Sequence, residues 1–162
     1  MATKRWVVNA SPLILLGKTD NLDLLAALAD SVIVPQSVAD EVGAKPDGAR
    51  VLEVLTRNSQ YAVVQDEAVA AEILAWDLGA GETQVIANAQ RHGADRVALD
   101  DREARRCAKV MNLKVIGTLG IVARAKRMGH IASATPIIEH LRRTVLFVSE
   151  ELVQQILRES GE

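Results

Sequence analysis

Five short β-forming runs, each followed by a helix-like stretch, recur along this chain and constrain its fold more than any single residue does. They are "RWVVN" (5–9), "SVIVP" (31–35), "QYAVVQ" (60–65), "RVALD" (96–100) and "LKVIG" (113–117). Strands that alternate with helices in this way imply a parallel sheet covered on both faces and joined by right-handed crossovers. The expected fold is therefore α/β: a three-layer α/β/α domain around a central parallel sheet of four to five strands. A chain of 162 residues suits one such domain and buries a real core.

The helical stretches carry their own punctuation. Ser11 is expected to N-cap the first helix, with Pro12 at its first position. "NLDLLAALA" (21–29) reads as a second short helix, and Ser37 as the cap of "VADEVGA". Gly43 and Pro46 end that helix before "GARVLEVLTRN" (48–58) begins. "DEAVAAEILAWDLG" and "GETQVIANAQRHG" read as two helices divided by the Gly79–Gly81 turn. "DREARRCAKVMN" (101–112) and "TLGIVARAKRMG" (118–129) follow the last two strands. "ATPIIEHLRRTVLF" and "SEELVQQILRES" close the chain, so the last helices, about 134–160, form a C-terminal extension of a single domain over 1–162.

Composition excludes several classes. A single cysteine, Cys107, allows no internal disulfide and no cysteine zinc site, and its helical setting reads as packing. His92, His130 and His140 stand at no ligand-like spacing, so zinc is not expected. The N-terminal apolar run is short and interrupted by Asn9, Ser11 and Pro12, which argues against a signal peptide or membrane span and for a cytoplasmic protein. The net charge is −2, yet residues 101–130 hold eight Lys/Arg against two acids. A basic zone beside an acidic site suits a phosphate polyanion, although solvated faces of two amphipathic helices would look the same. Aromatic residues make up only 2%, so base stacking is not the main hold on any single-stranded partner.

In an open α/β sheet, ligands gather at the carboxyl ends of the strands. Read to their exits, the strands deliver Asn9 after the first, Glu41 one turn past Ser37 after the second, and Asp100 and Asp101 after the fourth. Glu82 joins them in the first turn of the helix after "LGAG". Converging carboxylates repel one another unless a cation or proton intervenes, and oxygen-rich acidic sites are what Mg²⁺ and Mn²⁺ prefer. Each residue also has an ordinary structural reading. Asp100, with Glu103 three residues on, resembles a capping box; Glu82 suits a helix dipole; Glu41 suits an exposed helix face. No glycine-rich phosphate loop follows the first strand.

One resemblance weighs on that balance. "VVNASPLILLGKTDNLDLL", "VPQSVADEV", "LGAGETQVIANA" and above all "VALDDREARRCAKVMNLKVIGTLGIVARAKRMG" resemble the PIN-domain ribonucleases, in particular their toxin-type (VapC-like) branch with the "NASPLI" start. The resemblance implies a PIN-like α/β/α fold and an acidic quartet around Mg²⁺ or Mn²⁺. By position the quartet falls on Asn9, Glu41, Glu82 and Asp100, with Ser11 as a nearby hydroxyl and Asp101 as an extra carboxylate. Asn9 departs from the pattern, which has an aspartate there; an asparagine lends a carbonyl oxygen and no charge.

The implied activity is metal-dependent endoribonuclease, with Arg102, Arg105, Arg106 and Lys109 against flanking phosphates of an RNA substrate. Arg105 and Lys109, four apart, share a helix face. The implied partners are a small antitoxin protein and a second copy of the chain, with Leu15, Leu16, Leu24, Leu25 and Leu28 divided between core and dimer interface. The alternative is a catalytically weak or inactive PIN-fold module that binds RNA or protein. A receiver-type phosphoacceptor fits worse, because the paired aspartates follow the fourth strand and a lysine at a late strand end is missing.

Overall fold

The computed structural model describes residues 3–144 and 149–161. In chain order the elements are β1 (Arg5–Val8), α1 (Ala10–Lys18), α2 (Asp23–Leu28), β2 (Ser31–Pro35), α3 (Gln36–Gly43), α4 (Gly48–Arg57), β3 (Tyr61–Val64), α5 (Ala71–Leu74), α6 (Ala80–His92), β4 (Arg96–Ala98), α7 (Arg102–Val110), β5 (Val115–Ile116), α8 (Thr118–Arg127), α9 (Thr135–Thr144) and α10 (Glu150–Ser160). All five expected strands form, and all pair in parallel in the order β3-β2-β1-β4-β5. The sheet flanked by helices is the expected three-layer α/β/α arrangement. The order reverses between β1 and β4, so the crossovers before and after that point cover opposite faces. This is the topological switch point, where such sheets place their ligand crevice.

The central strands are apolar on both faces, as buried parallel strands require. Trp6, Val7, Val8, Val32, Ile33, Val34, Val97, Ala98 and Leu99 are all buried. α6 packs across β1, β2 and β4, while α8 packs against α1, α2, α9 and α10. β3 and β5 are the sheet's edges, and Val63 on β3 is 47% exposed. Gly48 opens α4 in a place no other residue fits: a Cβ there would stand 1.7 Å from the Val42 carbonyl oxygen. Among the described residues no helix is long and apolar enough to cross a membrane.

Several local expectations are corrected. Neither Ser11 nor Ser37 caps its helix: α1 starts at Ala10 and α3 at Gln36, which puts each serine at the second helical position. Their hydroxyls bond instead to Asp100 and Asp66, carboxylates far away in sequence. Pro12 accordingly sits third in α1, still within the first turn, where its missing N–H has no intrahelical partner to lose. "DEAVAAEILAWDLG" is helical only over Ala71–Leu74. The Gln84 side chain accepts from the Glu67 N–H at 2.8 Å and donates to the Glu67 carbonyl at 2.9 Å, which ties that backbone to α6 in a non-helical form. Leu15, Leu16, Leu24, Leu25 and Leu28 are all buried within the one chain, so none of them is left to line a dimer interface. The end of "ATPIIEHLRRTVLF", residues 145–147, lies outside the described residues.

Candidate functional site

The switch point brings the exits of β1 and β4 together. The Asn9 N–H donates to the Ala98 carbonyl at 3.1 Å, continuing the β1–β4 ladder one step past the strands. Asn9 is 5% exposed, and its Oδ1 is buried with no hydrogen-bond partner. An unmet buried acceptor costs roughly 1–3 kcal/mol, so such an atom calls for a functional account.

The space in front of that oxygen belongs to Gly81. A Cβ at Gly81 would stand 3.2 Å from Asn9 Oδ1 and 2.9 Å from Glu41 Oε2. Two oxygens from separate elements thus converge on one point that the glycine keeps open. Asn9, Ser37, Glu41 and residues 79–82 line a cleft of about 360 Å³ there. Glu82 closes its far side from the third position of α6, where Oε2 accepts from the Gly79 N–H at 3.1 Å. Burial raises the Glu82 carboxyl above its ordinary value; the Gly79 N–H pulls it down, and the Asp101 and Glu41 charges push it further up.

Asp100 is held separately and tightly. Oδ2 accepts from the Ser11 hydroxyl at 2.7 Å and the Thr118 hydroxyl at 2.6 Å, while Oδ1 accepts from the Thr118 N–H at 2.7 Å. Asp101, not Asp100, caps α7: its Oδ2 accepts from the Ala104 N–H at 3.0 Å. Glu103 takes no part in a capping box and pairs with Arg106 at 3.1 Å. Thr118 is the residue that the sequence reading missed. It is fully buried and makes two of the three bonds to Asp100, and its only trace in the sequence is the "GTLG" turn. Gly81 and Ser37 were missed as well, since neither is chemically conspicuous.

The donor set fits a hard divalent cation in kind: carboxylates and one orphaned amide oxygen, with no sulfur or imidazole. It is not a ready-made cage. Among the described residues no three His, Cys, Asp or Glu side chains gather closely enough to hold a metal by themselves. Mg²⁺ needs only one or two direct protein carboxylates because it keeps several waters, and the Asn9 oxygen adds a neutral donor beside Glu41. The orphaned Asn9 oxygen facing Glu41 is the more informative observation.

The four basic residues expected on RNA share α7 but not one condition. Arg105 is half-buried and donates to the Leu99 carbonyl at 2.9 Å, bracing the loop that carries Asp100. Arg106 is paired with Glu103, while Arg102 and Lys109 are exposed. The 101–130 zone is also not one surface. Arg124, Lys126 and Arg127 lie in the last turn of α8, whose first residue touches Asp100, and nine residues of helix separate the two ends by about 13 Å. Arg96, the first residue of β4, is desolvated and feels the charges of Arg124 and Arg127, so that cluster lies toward the amino-terminal ends of the strands, away from Asp100.

A family model described as a PIN domain (DUF3368) matches residues 5–162. A structure of the PIN domain endonuclease Utp24 is 8% identical with a TM-score of 0.52, covering 70% of this chain and 84% of that chain. The crystal structure of PAE2754 from Pyrobaculum aerophilum is 17% identical with a TM-score of 0.52, covering 71% of this chain and 84% of that one. At those identities the likeness is one of fold. No curated protein matches this chain.

Proposed function

Because the chain belongs to the PIN-domain family, which its match over residues 5–162 shows, we propose that it is a Mg²⁺- or Mn²⁺-dependent endoribonuclease of the toxin-type branch. The observation that carries this reading is the buried, unpartnered Asn9 Oδ1 set opposite Glu41 Oε2 across the open face of Gly81. On this reading Asn9 and Glu41 would hold the ion directly, and Glu82 and Asp100 would act on it through its bound waters.

When bound, the ion would supply positive charge against the phosphodiester and lower the pKa of a water. The chain's own groups do the rest. Ser11 and Thr118 fix both oxygens of Asp100, so that carboxylate does not have to be ordered when substrate arrives. Gly79 engages Glu82 Oε2, which leaves Oε1 as the atom to receive the attacking water's proton. Asp101 keeps α7 in place through its cap and adds negative charge beside Glu82.

The "NASPLI" start supports the toxin branch. A small antitoxin, encoded beside this gene, would then cover the cleft in the cytoplasm. A homodimer would have to use a surface other than the five buried leucines.

The second reading, a non-catalytic binding module, is favoured by one observation: Asn9 brings no charge to a site where three acidic side chains do not close on one point. End-labelled single-stranded RNA incubated with and without Mn²⁺ separates the two. The nuclease reading expects metal-dependent cleavage that disappears in Glu82→Gln and Asp100→Asn. Absence of both cleavage and calorimetric Mn²⁺ binding in the wild-type protein would leave the binding module.

A further inference from the structure

Three cavities adjoin one another through shared lining residues. Glu41, on the rim of the acidic cleft, also borders a second cavity of about 200 Å³ with Ser11, Ile14, Lys18 and Lys45. Ile14, Lys18 and Lys45 continue into a third cavity of about 220 Å³ that reaches Asp47 and Val51. The groove therefore runs from the strand ends outward between α1 and the α3–α4 turn.

Its charge changes sign along the way. Ser11, Ile14 and Lys18 recur at three and four residues on α1 and so occupy one face. Glu41 lies in the last turn of α3, and Lys45 follows two residues past its end. The groove thus passes from the acidic Glu41 to Lys45 along one wall and from Ser11 to Lys18, about two turns on, along the other. Lys18 and Lys45 are both exposed, and neither forms an ion pair among the described residues, although Glu41 and Asp47 share the groove with them. Half-buried Ile14 and buried Leu15 form an apolar floor with no aromatic ring for base stacking. On α7, Arg105 is committed to the Leu99 carbonyl and Arg106 is paired with Glu103, and the exposed Arg102 and Lys109 line none of the three cavities.

We propose that single-stranded RNA leaves the acidic cleft along the groove between α1 and the α3–α4 turn, with two of its backbone phosphates held by Lys18 and Lys45. This rests on the nuclease reading above and adds the direction in which the strand lies. Contact is through phosphates and an apolar floor, so it is indifferent to base sequence.

The test uses the full chain and a fluorescein-labelled single-stranded RNA, with chelator present so that nothing is cleaved. Affinity is measured by anisotropy between 50 and 200 mM salt, the range in which counterion release is read. Lys18→Ala/Lys45→Ala should weaken binding and make the log–log salt slope shallower by about 1.4, two contacts at about 0.7 each. Its melting temperature and calorimetric Mn²⁺ affinity should stay near wild type, which separates lost contacts from lost structure. An unchanged slope in this variant while wild type binds RNA overturns the proposal and leaves the nuclease reading standing, as does a slope that falls only in Arg102→Ala/Lys109→Ala. Wild-type protein that binds no RNA and cuts none overturns both.

Discussion

The Ser11 hydroxyl donates to Asp100 Oδ2 at 2.7 Å, joining the first turn of α1 to the exit of β4 across 89 residues of chain. With Thr118 from α8 as the second clamp, this bond links three elements at the switch point and gives Asp100 and Asp101 different work. Asp100 faces inward to the clamp, and Asp101 closes a helix.

That division predicts that the same substitutions act on stability alone at Asp101 and on cleavage as well at Asp100. Asp101→Ala should cost about 0.5–2 kcal/mol in urea unfolding and Asp101→Asn little, because asparagine caps about as well as aspartate. Asp100→Ala should cost roughly 1–3 kcal/mol by stranding the donors of Thr118. Asp100→Asn should be milder, since the two hydroxyls can turn to accept from the new amide, yet Mn²⁺-dependent cleavage should be lost. Equal stability losses for both alanine variants with cleavage intact in Asp100→Asn would refute the division.

Asn9→Asp places a carboxylate where the buried Oδ1 has no donor and Glu41 lies opposite. Without metal the variant should melt lower, since burying an unpaired charge beside a like charge is unfavourable. With Mn²⁺ it should bind more tightly, cleave RNA at least as fast, and show a larger metal-induced rise in melting temperature than wild type. The pair of calorimetric affinities and the two melting curves decide it.

Gly81→Ala should separate folding from function. Alanine is favoured over glycine inside a helix by about 1 kcal/mol, so α6 should be no less stable apart from a small adjustment of Glu41. The new methyl would sit 2.9 Å from Glu41 Oε2 and 3.2 Å from Asn9 Oδ1, in the space where the two oxygens converge. Mn²⁺ binding should fall at least tenfold with melting temperature held. Undiminished binding would show that the ion does not use that space.

Tyr61 is the chain's one tyrosine, so its ionisation can be followed alone by ultraviolet absorbance. It is buried at the sheet edge, donates its hydroxyl to the Leu22 carbonyl at 2.9 Å, and is pushed up to about 12 chiefly by desolvation. The fold favours the neutral phenol, so its contribution is complete below the unfolded value of about 10 and is lost as pH rises toward 12. The loss amounts to roughly 2–3 kcal/mol. A native titration midpoint near 10 would contradict the buried hydrogen bond.

The sequence by itself determined the element types, the parallel α/β fold class and the acidic residues at the strand exits. Those properties are local: side-chain periodicity marks strand or helix, and a carboxylate just after a strand is delivered to the sheet edge wherever the sheet forms. It did not determine which of two adjacent aspartates caps α7, because both satisfy the same local pattern, and the choice is made by donors 18 and 89 residues from Asp100. Nor did it show that residues 67–70 stay out of a helix, since Gln84, 17 residues away, satisfies the Glu67 backbone. The basic zone of 101–130 divides for a related reason: α8 runs from the carboxyl ends of the strands back to their amino ends, so charges close in sequence end far apart. Gly81 gave no chemical signal because its contribution is the side chain it lacks, and that space has meaning only once α3, α6 and the end of β1 meet around it.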